Sequence, residues 1–403
     1  MFNTVSDLDS GQRLLVRIDI NAPVENGHAQ DNRRFERHAE SIRTLLEDGH
    51  AVAVMAHQGR PGRDTFISLE SHADILGDHL SQDVEFVPDT FGEDALEATE
   101  ALESGEVLLL ENVRMCEDEL PEKEPETHAG SEFVQTLAPK FDAYVNDAYS
   151  AAHRAHASLV GFPLVMDAYA GPVMEAEYTA NSAIQDREFE GPVTMVLGGT
   201  KAEDLIPVIE RVDDTVDRFC LGGIVGELFL RAAGHDVGYD VEETEFFDHQ
   251  WDDHANTIES ILETYGDRLT LAADLAYEGD DGERAETAVE GLEKDTSYLD
   301  VGTESAETYA DLVRESDAVF VKGALGVFED ERFATGTVTV LEAIAETDCF
   351  SVVGGGDTSR AIGMYGLDED DFGHVSIAGG AYVRALTGEP LVGIDVLETA
   401  AAA

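Results

Sequence analysis

The sequence predicts an α/β protein of two Rossmann-like lobes, each a parallel sheet with helices on both faces, joined by a hinge helix. Three observations carry this expectation. Short β-rich runs recur along the chain, each followed by a helical pattern, and strands that alternate with helices build parallel sheets. The runs are apolar nearly throughout rather than alternating, as strands covered on both faces are. Between two sets of runs, Gly171–Glu190 reads as one helix, opened by Pro172 and stopped by Gly191-Pro192.

The first set comprises Leu14–Ile20, Ala51–His57, Glu85–Pro88, Val107–Glu111 and Ala143–Asp147. The second comprises Val193–Leu197, Arg218–Leu221, Leu269–Ala273, Ser297–Val301, Ala318–Val321, Phe350–Val353 and His374–Ile377. A chain of 403 residues is too long for one ordinary core. The expected division is residues 1–170 as a first lobe, 171–190 as the connecting helix, 191–390 as a second lobe, and a tail 391–403 packing back near the first.

Acid dominates the composition: 85 Asp+Glu against 25 Lys+Arg give a formal charge of −60. Hydrophobic residues still make up 43%, interleaved in regular segments, so the acid is read as a coat on folded lobes and not as disorder. Such a charge repels itself until molar salt shortens the screening length to about 3 Å. A salt-rich cytoplasm is the expected setting, with no nucleic acid or membrane as partner, since the field repels both. The N-terminus lacks the regions of a signal peptide, and no apolar run reaches membrane-spanning length. Cys116, Cys220 and Cys349 fit no disulfide framework or zinc site.

Ligands of open α/β sheets gather at the carboxyl ends of strands. In the first half those ends read RIDINAP (17–23), AHQGRPG (56–62), LLENVR (109–114) and YVNDAYSAAHRAH (144–156). They supply Arg17, His57, Arg60, Arg114, His153 and Arg154, with Arg33, Arg34 and Arg37 following the first strand. Pairing with surface carboxylates would account for Arg13 or Arg43. Arginines gathered at strand ends in so acidic a chain point instead to a small polyanion, whose oxygens match the guanidinium fork. In the second half the ends are glycine pairs: VLGGTK (196–201), CLGGIVG (220–226), VKGALG (321–326), VVGGGDTS (352–359) and IAGGA (377–381). Glycine pairs let backbone N–H groups approach a phosphate, and a following helix adds its dipole. The P-loop, dinucleotide, G-x-S-x-G and H-E-x-x-H patterns are missing.

Arg17–Pro23, His57–Pro61, Leu109–Arg114, Val145–His156, Gly198–Lys201, Gly323–Glu329 and Gly354–Thr358 match, in order, the motifs of the phosphoglycerate kinase family. The chain resembles that family from about residue 14 to 395. The resemblance implies reversible transfer of phosphate between Mg·ATP and the carboxylate of 3-phosphoglycerate, by a monomer whose lobes close on the reactants. It implies that Asp19 and Asn21 meet the hydroxyl and carboxylate end of 3-phosphoglycerate. His57, Gln58, Gly59, Arg60, Arg114 and Arg154 belong to the same site, the arginines and His57 holding the phosphate. Arg34 and Lys201 act on the transferring group. Gly198 and Gly199 face the nucleotide phosphates with Lys201, and Gly222 and Gly223 line the adenine pocket. Glu329 takes the ribose, Gly354, Gly355 and Gly356 offer amides, and Asp357 ligates Mg²⁺ beside Thr358.

The chain departs from the pattern in several places. Gln58 replaces a common Leu and is expected to matter little; Thr200 and Ile377-Ala378 are also unusual. Leu205 stands where many relatives are basic, and Lys322 where many have Asn. Either Lys322 supplies the charge missing at Leu205 at the nucleotide phosphates, or it pairs with a carboxylate such as Glu329. Two other protein classes share a two-lobed plan. A nicotinamide dehydrogenase would need the glycine fingerprint that is missing, and a solute-binding protein is usually exported.

Lowering KCl from molar to about 0.1 M lengthens the screening distance roughly threefold. Overnight dialysis to that salt is expected to unfold or inactivate the protein; native circular dichroism with full activity would contradict it.

Overall fold

In the computed structural model, residues 1–212, 215–237 and 245–402 are described, with only the backbone at 245–246. Residue 403 of the predicted tail lies outside them. The chain divides into two compact units, Met1–Thr179 with the C-terminal segment from Glu389, and Ala180–Gly388.

The first unit is built on six parallel strands: β1 (Arg13–Arg17), β2 (Ala51–Met55), β3 (Glu85–Val87), β4 (Val107–Leu110), β5 (Ala143–Asn146) and β6 (Ala168–Ala170). Their order is β3-β4-β2-β1-β5-β6, so the chain winds outward on one side of β1 and then crosses to the other. That reversal opens a crevice at the carboxyl ends of β1 and β5, where open sheets bind ligands. Leu14, Val16, Val52, Val54, Leu109 and Val145 are fully buried in one core cluster. Helix Arg33–Glu47 covers it with Phe35, Ala39, Ile42 and Leu45, a spacing of three and four that presents one apolar face. Asn32 caps that helix by accepting from the Arg34 amide at 2.8 Å.

The second unit repeats the plan with β7 (Val193–Leu197), β8 (Arg218–Leu221), β9 (Leu269–Thr270), and then β13 (Ala318–Lys322), β14 (Phe350–Gly354) and β15 (His374–Ser376). The order is β9-β8-β7-β13-β14-β15, which puts the crevice between the ends of β7 and β13. The intervening strands β10 (Asp274–Glu278), β11 (Arg284–Ala288) and β12 (Tyr298–Val301) form a separate antiparallel sheet in order β11-β10-β12.

Two expectations are corrected. The run Ser297–Val301, expected in the parallel sheet, instead pairs antiparallel with a hairpin, DLAYE and RAETA, that is absent from the expected strands. β11 carries no fully buried residue, so it lacks the apolar run by which the other strands were recognised. Arg284 ties this sheet together, donating to Asp300 Oδ2 and to the Val301 carbonyl, each at 2.9 Å. Several predicted strands also extended further than their ladders. Pairing stops at Arg17, Met55 and Asn146, and the next residues turn into the loops described below.

Helix Pro172–Asp186, with proline at its first position, carries the chain from one unit into the other. Its start is fixed by Asp147 Oδ1, which accepts from the amides of Val173 at 2.8 Å and Met174 at 3.1 Å. The C-terminal helix Val392–Ala401 belongs to the first unit, where Val396 packs on Ala148, Ala151, Leu159 and Val160. No described helix is long and apolar enough to cross a membrane.

A Cβ at Gly171 would overlap the Asp147 carboxylate. Gly171→Ala is therefore expected to lower stability by about 1–3 kcal/mol, the usual scale of overpacking, in denaturant unfolding at molar KCl. A loss below about 0.5 kcal/mol would show that the cap can move aside.

Candidate active site

Arg17, at the end of β1, is only 1% exposed. It donates from Nε to Ser158 Oγ at 2.9 Å, from Nη1 to the Ile18 carbonyl, and from Nη2 to His57 Nδ1 at 3.0 Å. A guanidinium has no acceptor atom, so His57 must accept at Nδ1 and carry its proton on Nε2. Burial, with help from the nearby Arg17, Arg114 and Arg154 charges, holds the His57 pKa well below the ordinary range even though Asp19 opposes the shift. His57 is thus a neutral donor. Ser158 relays to the buried Glu119, donating from its backbone N at 2.7 Å and from Oγ at 2.8 Å.

Asp19 and Asn21 follow on the same loop. Burial opposes ionisation of Asp19, but Arg34, His57 and the Ser150 hydroxyl outweigh it and keep the carboxyl far below the usual range. Arg34 Nη1 donates to Asp19 Oδ2 at 2.9 Å, Ser150 Oγ donates to the same oxygen, and the Asn21 amide donates to Oδ1 at 3.0 Å. The Gly59 amide donates to Asn21 Oδ1 at 2.8 Å, which fixes the Asn21 amide group and leaves Nδ2 as its donor. Gly59 has φ +64° and lies so close to the Thr65 carbonyl that a side chain would overlap it.

Arg114 donates to the Gly59 carbonyl. Burial and the neighbouring Arg154 and Arg17 charges lower its pKa to about 10, and Arg154 is lowered by burial and then by Arg60. Arg17, Arg60, Arg114 and Arg154 therefore repel one another, and none has a carboxylate within ion-pair distance among the described residues. The structure brings Arg17, Asp19, Asn21, Arg34, His57, Gly59, Arg60, Arg114, His153 and Arg154 together. Arg13 and Arg43, assigned to surface carboxylates, donate instead to carbonyls.

Gln58 corrects an expectation. It is fully buried, and all four positions of its amide group are used. Oε1 accepts from the Ala22 amide at 2.8 Å and from His72 Nε2 at 2.9 Å, while Nε2 donates to the carbonyls of Ala22 at 3.0 Å and Thr65 at 3.1 Å. With its amide saturated, Gln58 clasps the Asp19 loop to the His57 loop and keeps nothing for a ligand.

In the second unit the glycines act differently from the expectation. The amides of Gly198, Gly199, Gly222 and Gly223 donate to the carbonyls of Lys322, Ala324, Leu197 and Leu325 at 2.7–3.0 Å. They are occupied, and glycine is favoured there because a Cβ would strike backbone or Leu325 at Gly198, Gly222 and Gly223, while Gly199 has φ +94°. Helix Gly356–Met364, capped by Gly355 at φ +108°, instead presents a first turn of amides beside Asp357 and Thr358. Lys322 lies against it: a Cβ on Gly355 would sit 3.3 Å from Lys322 Nζ. Burial lowers the Lys322 pKa, opposed by the nearby Asp204 and Asp357 and assisted by Lys201. Glu329 pairs with Arg360 at 3.2 Å, and among the described residues no carboxylate lies within ion-pair distance of Lys322. Leu205 is buried on helix Ala202–Arg211. Gly222 and Gly223 line a cavity of about 290 Å³ with Leu275, Tyr298, Leu325 and Val327; Glu329 lies off that wall.

Sequence reasoning missed Ser150, Ser158 and Glu119. Ser150 lies within a recognised motif and Ser158 just after it, but neither carries a charge that marks it, and Glu119 is hidden among the surface-type acids 117–124.

An anion site with unpaired arginines in one α/β unit, and a glycine-turned helix start with two lysines in another, define a protein that handles phosphorylated ligands. The phosphoglycerate kinase family model matches residues 5–389. The chain is 69% identical over 401 residues to the phosphoglycerate kinase of Halorubrum lacusprofundi, covering 99% of this chain and 98% of that protein. It is 64% identical over 398 residues to that of Haloarcula marismortui, covering 98% and 99%. The crystal structure of phosphoglycerate kinase from Pyrococcus horikoshii superposes with a TM-score of 0.92 at 33% identity, covering 99% of both chains. The chain belongs to the phosphoglycerate kinase family.

Gln58→Leu is expected to strand four buried hydrogen-bonding partners and destabilise the protein by about 3 kcal/mol or more, at ~1–3 kcal/mol for each unsatisfied group. Denaturant unfolding that shows less than about 1 kcal/mol would remove Gln58 from that role.

Proposed function

We propose that this protein transfers a phosphoryl group reversibly between ATP and the carboxylate of 3-phosphoglycerate. The observation that carries this reading is the set Arg17, Arg60, Arg114 and Arg154, which have no carboxylate within ion-pair distance among the described residues although the chain holds 85 Asp+Glu. Mutual repulsion among these arginines is relieved by an anion. The phosphate of 3-phosphoglycerate lies against Arg60, Arg114, Arg154 and the Nε2–H of His57. Asn21 Nδ2 donates to its carboxylate, and ionised Asp19 accepts from its hydroxyl. Gly59 supports the loop, and Gln58 acts only through it.

In the second unit, adenine occupies the cavity beside Gly222 and Gly223. The phosphates extend past Gly198 and Gly199 to the helix start at Gly354–Thr358, with Lys201 and Lys322 supplying positive charge; Glu329 reaches the ribose from outside the cavity. Among the described residues no three His, Cys, Asp or Glu side chains converge into a metal cage. Asp357, exposed in the first turn of its helix, fits the single carboxylate that Mg²⁺ takes alongside nucleotide phosphates. When bound, Mg²⁺ neutralises charge on those phosphates. Phosphoryl transfer asks the protein mainly for alignment and positive charge, which Arg34 and Lys201 supply from opposite units. The units therefore close for transfer, bending at Pro172–Asp186, and closure excludes water. The protein works as a monomer in a salt-rich cytoplasm.

A coupled assay with ATP, Mg²⁺ and 3-phosphoglycerate in molar KCl tests the reading, and no turnover would refute it. Arg60→Ala and Arg154→Ala are each expected to weaken 3-phosphoglycerate binding by about 1.5–3 kcal/mol, the worth of a charged hydrogen bond. Binding of ATP, followed by calorimetry, should barely change; equal losses for both ligands would reverse the assignment of the units. Lys201→Ala is expected to lower kcat by orders of magnitude at nearly constant KM for 3-phosphoglycerate. Retention of more than about a tenth of kcat would exclude Lys201 from the transferring group.

A further inference from the structure

The last ladder bond of β1 on its β2 side is donated by the Ile18 amide to the Met55 carbonyl, at 3.0 Å. Asp19 is thus the first residue beyond the sheet, 3% exposed, and its amide has no strand to donate to. His38, on helix Arg33–Glu47, meets it: the Asp19 N–H donates to His38 Nε2 at 3.3 Å. An amide can only donate, so Nε2 is the acceptor and the ring proton sits on Nδ1. From there it is donated to Asp147 Oδ2 at 3.1 Å. The other Asp147 oxygen holds the start of helix Pro172–Asp186, and the Asp147 amide donates back to the Arg17 carbonyl at 2.8 Å. His38 is 1% exposed and Asp147 is fully buried. Every link is a direct hydrogen bond between protein atoms.

We propose that His38 is a positioning residue for the acceptor site, holding the Asp19 backbone through an Asp19–His38–Asp147 hydrogen-bond relay. The relay replaces the strand pairing that β1 loses at the point where its chain turns into the site. Apart from the relay, that peptide is held at its other end, where Arg17 Nη1 donates to the Ile18 carbonyl, and the Asp19 side chain is held by Arg34, Ser150 and the Asn21 amide. Those partners anchor the carbonyl and the carboxylate but not the N–H, so without the relay the peptide can still tilt about its carbonyl. A tilt moves the carboxylate and the Asn21 side chain together, because both lie on that loop. The direction of the relay is set by chemistry: a donor in place of Nε2 faces the Asp19 N–H and cannot bond to it.

The proposal rests on the reading that Asp19 faces 3-phosphoglycerate, and three variants test it in the full chain at molar KCl. His38→Leu removes both links, His38→Asn keeps a donor near Nδ1, and His38→Gln keeps an acceptor near Nε2. The KM for 3-phosphoglycerate is the readout, because a partly unfolded sample lowers apparent kcat but not KM. The Leu and Asn variants are expected to raise it at least about fivefold, roughly 1 kcal/mol, and the Gln variant to stay within about twofold; KM for ATP should change less than about twofold in all three. Exchange of the Asp19 amide, followed by NMR without substrate, should accelerate in Leu and Asn and stay slow in Gln. An unchanged KM in His38→Leu, or equal KM in Leu and Gln, overturns the positioning role. Wild-type protein that neither binds nor turns over 3-phosphoglycerate would refute the functional reading instead, and the exchange measurement would still report on the relay.

Discussion

A guanidinium taken out of water must be met by acceptors, because its desolvation is not recovered otherwise. Arg17 is in that position, and the way it is satisfied arranges the acceptor site. Its bond to His57 selects the tautomer that points a donor outward, and its bond to Ser158 brings in Glu119 behind. The Ser158 hydroxyl joins Arg17 to Glu119, so the two are not a direct ion pair, and burial pushes the Glu119 pKa up. Arg60, Arg114 and Arg154 then lie near one another with no carboxylate in ion-pair distance among the described residues. Their mutual repulsion is the electrostatic form of an anion-binding site.

The second unit solves a different problem. Its crevice is made by backbone segments that approach closely, and glycine is the residue that permits this. Gly323 at φ +84° lies against the Gly198 carbonyl, and Gly223 at φ +57° against Gly199. Interstrand bonding consumes those amides, so the donors left for phosphate are lysines and the start of helix Gly356–Met364. Of the five lysines, Lys140 and Lys294 form ion pairs with Glu100 and Asp236, of the kind worth about 0–1 kcal/mol at a surface. Lys201 and Lys322 are kept for the crevice.

The acid coat is a separate layer of design. Its carboxylates sit mostly on helix faces and loops, while the central strands of the two parallel sheets are buried and largely apolar. Screening decides whether this shell tolerates the compact state. It does not decide the fold, and the site's arginines stay apart from it.

The alternation of apolar strands with helices determined the α/β class, because strands buried on both faces must be apolar along their length. The strand-end motifs determined most site residues, since a parallel sheet delivers its carboxyl ends to one edge whatever lies between. The antiparallel hairpin Asp274–Ala288 escaped, because strands with a wet face carry polar residues that resemble a loop. Local pattern could not show that Gln58 is a clasp, that the glycine amides are already occupied, or that His38 joins Asp19 to Asp147. Those facts depend on which atoms lie within hydrogen-bonding distance, and the partners are up to 109 positions apart at His38 and further still between the glycine turns. A side chain's chemistry is set by its sequence, but its partners exist only once the chain has folded.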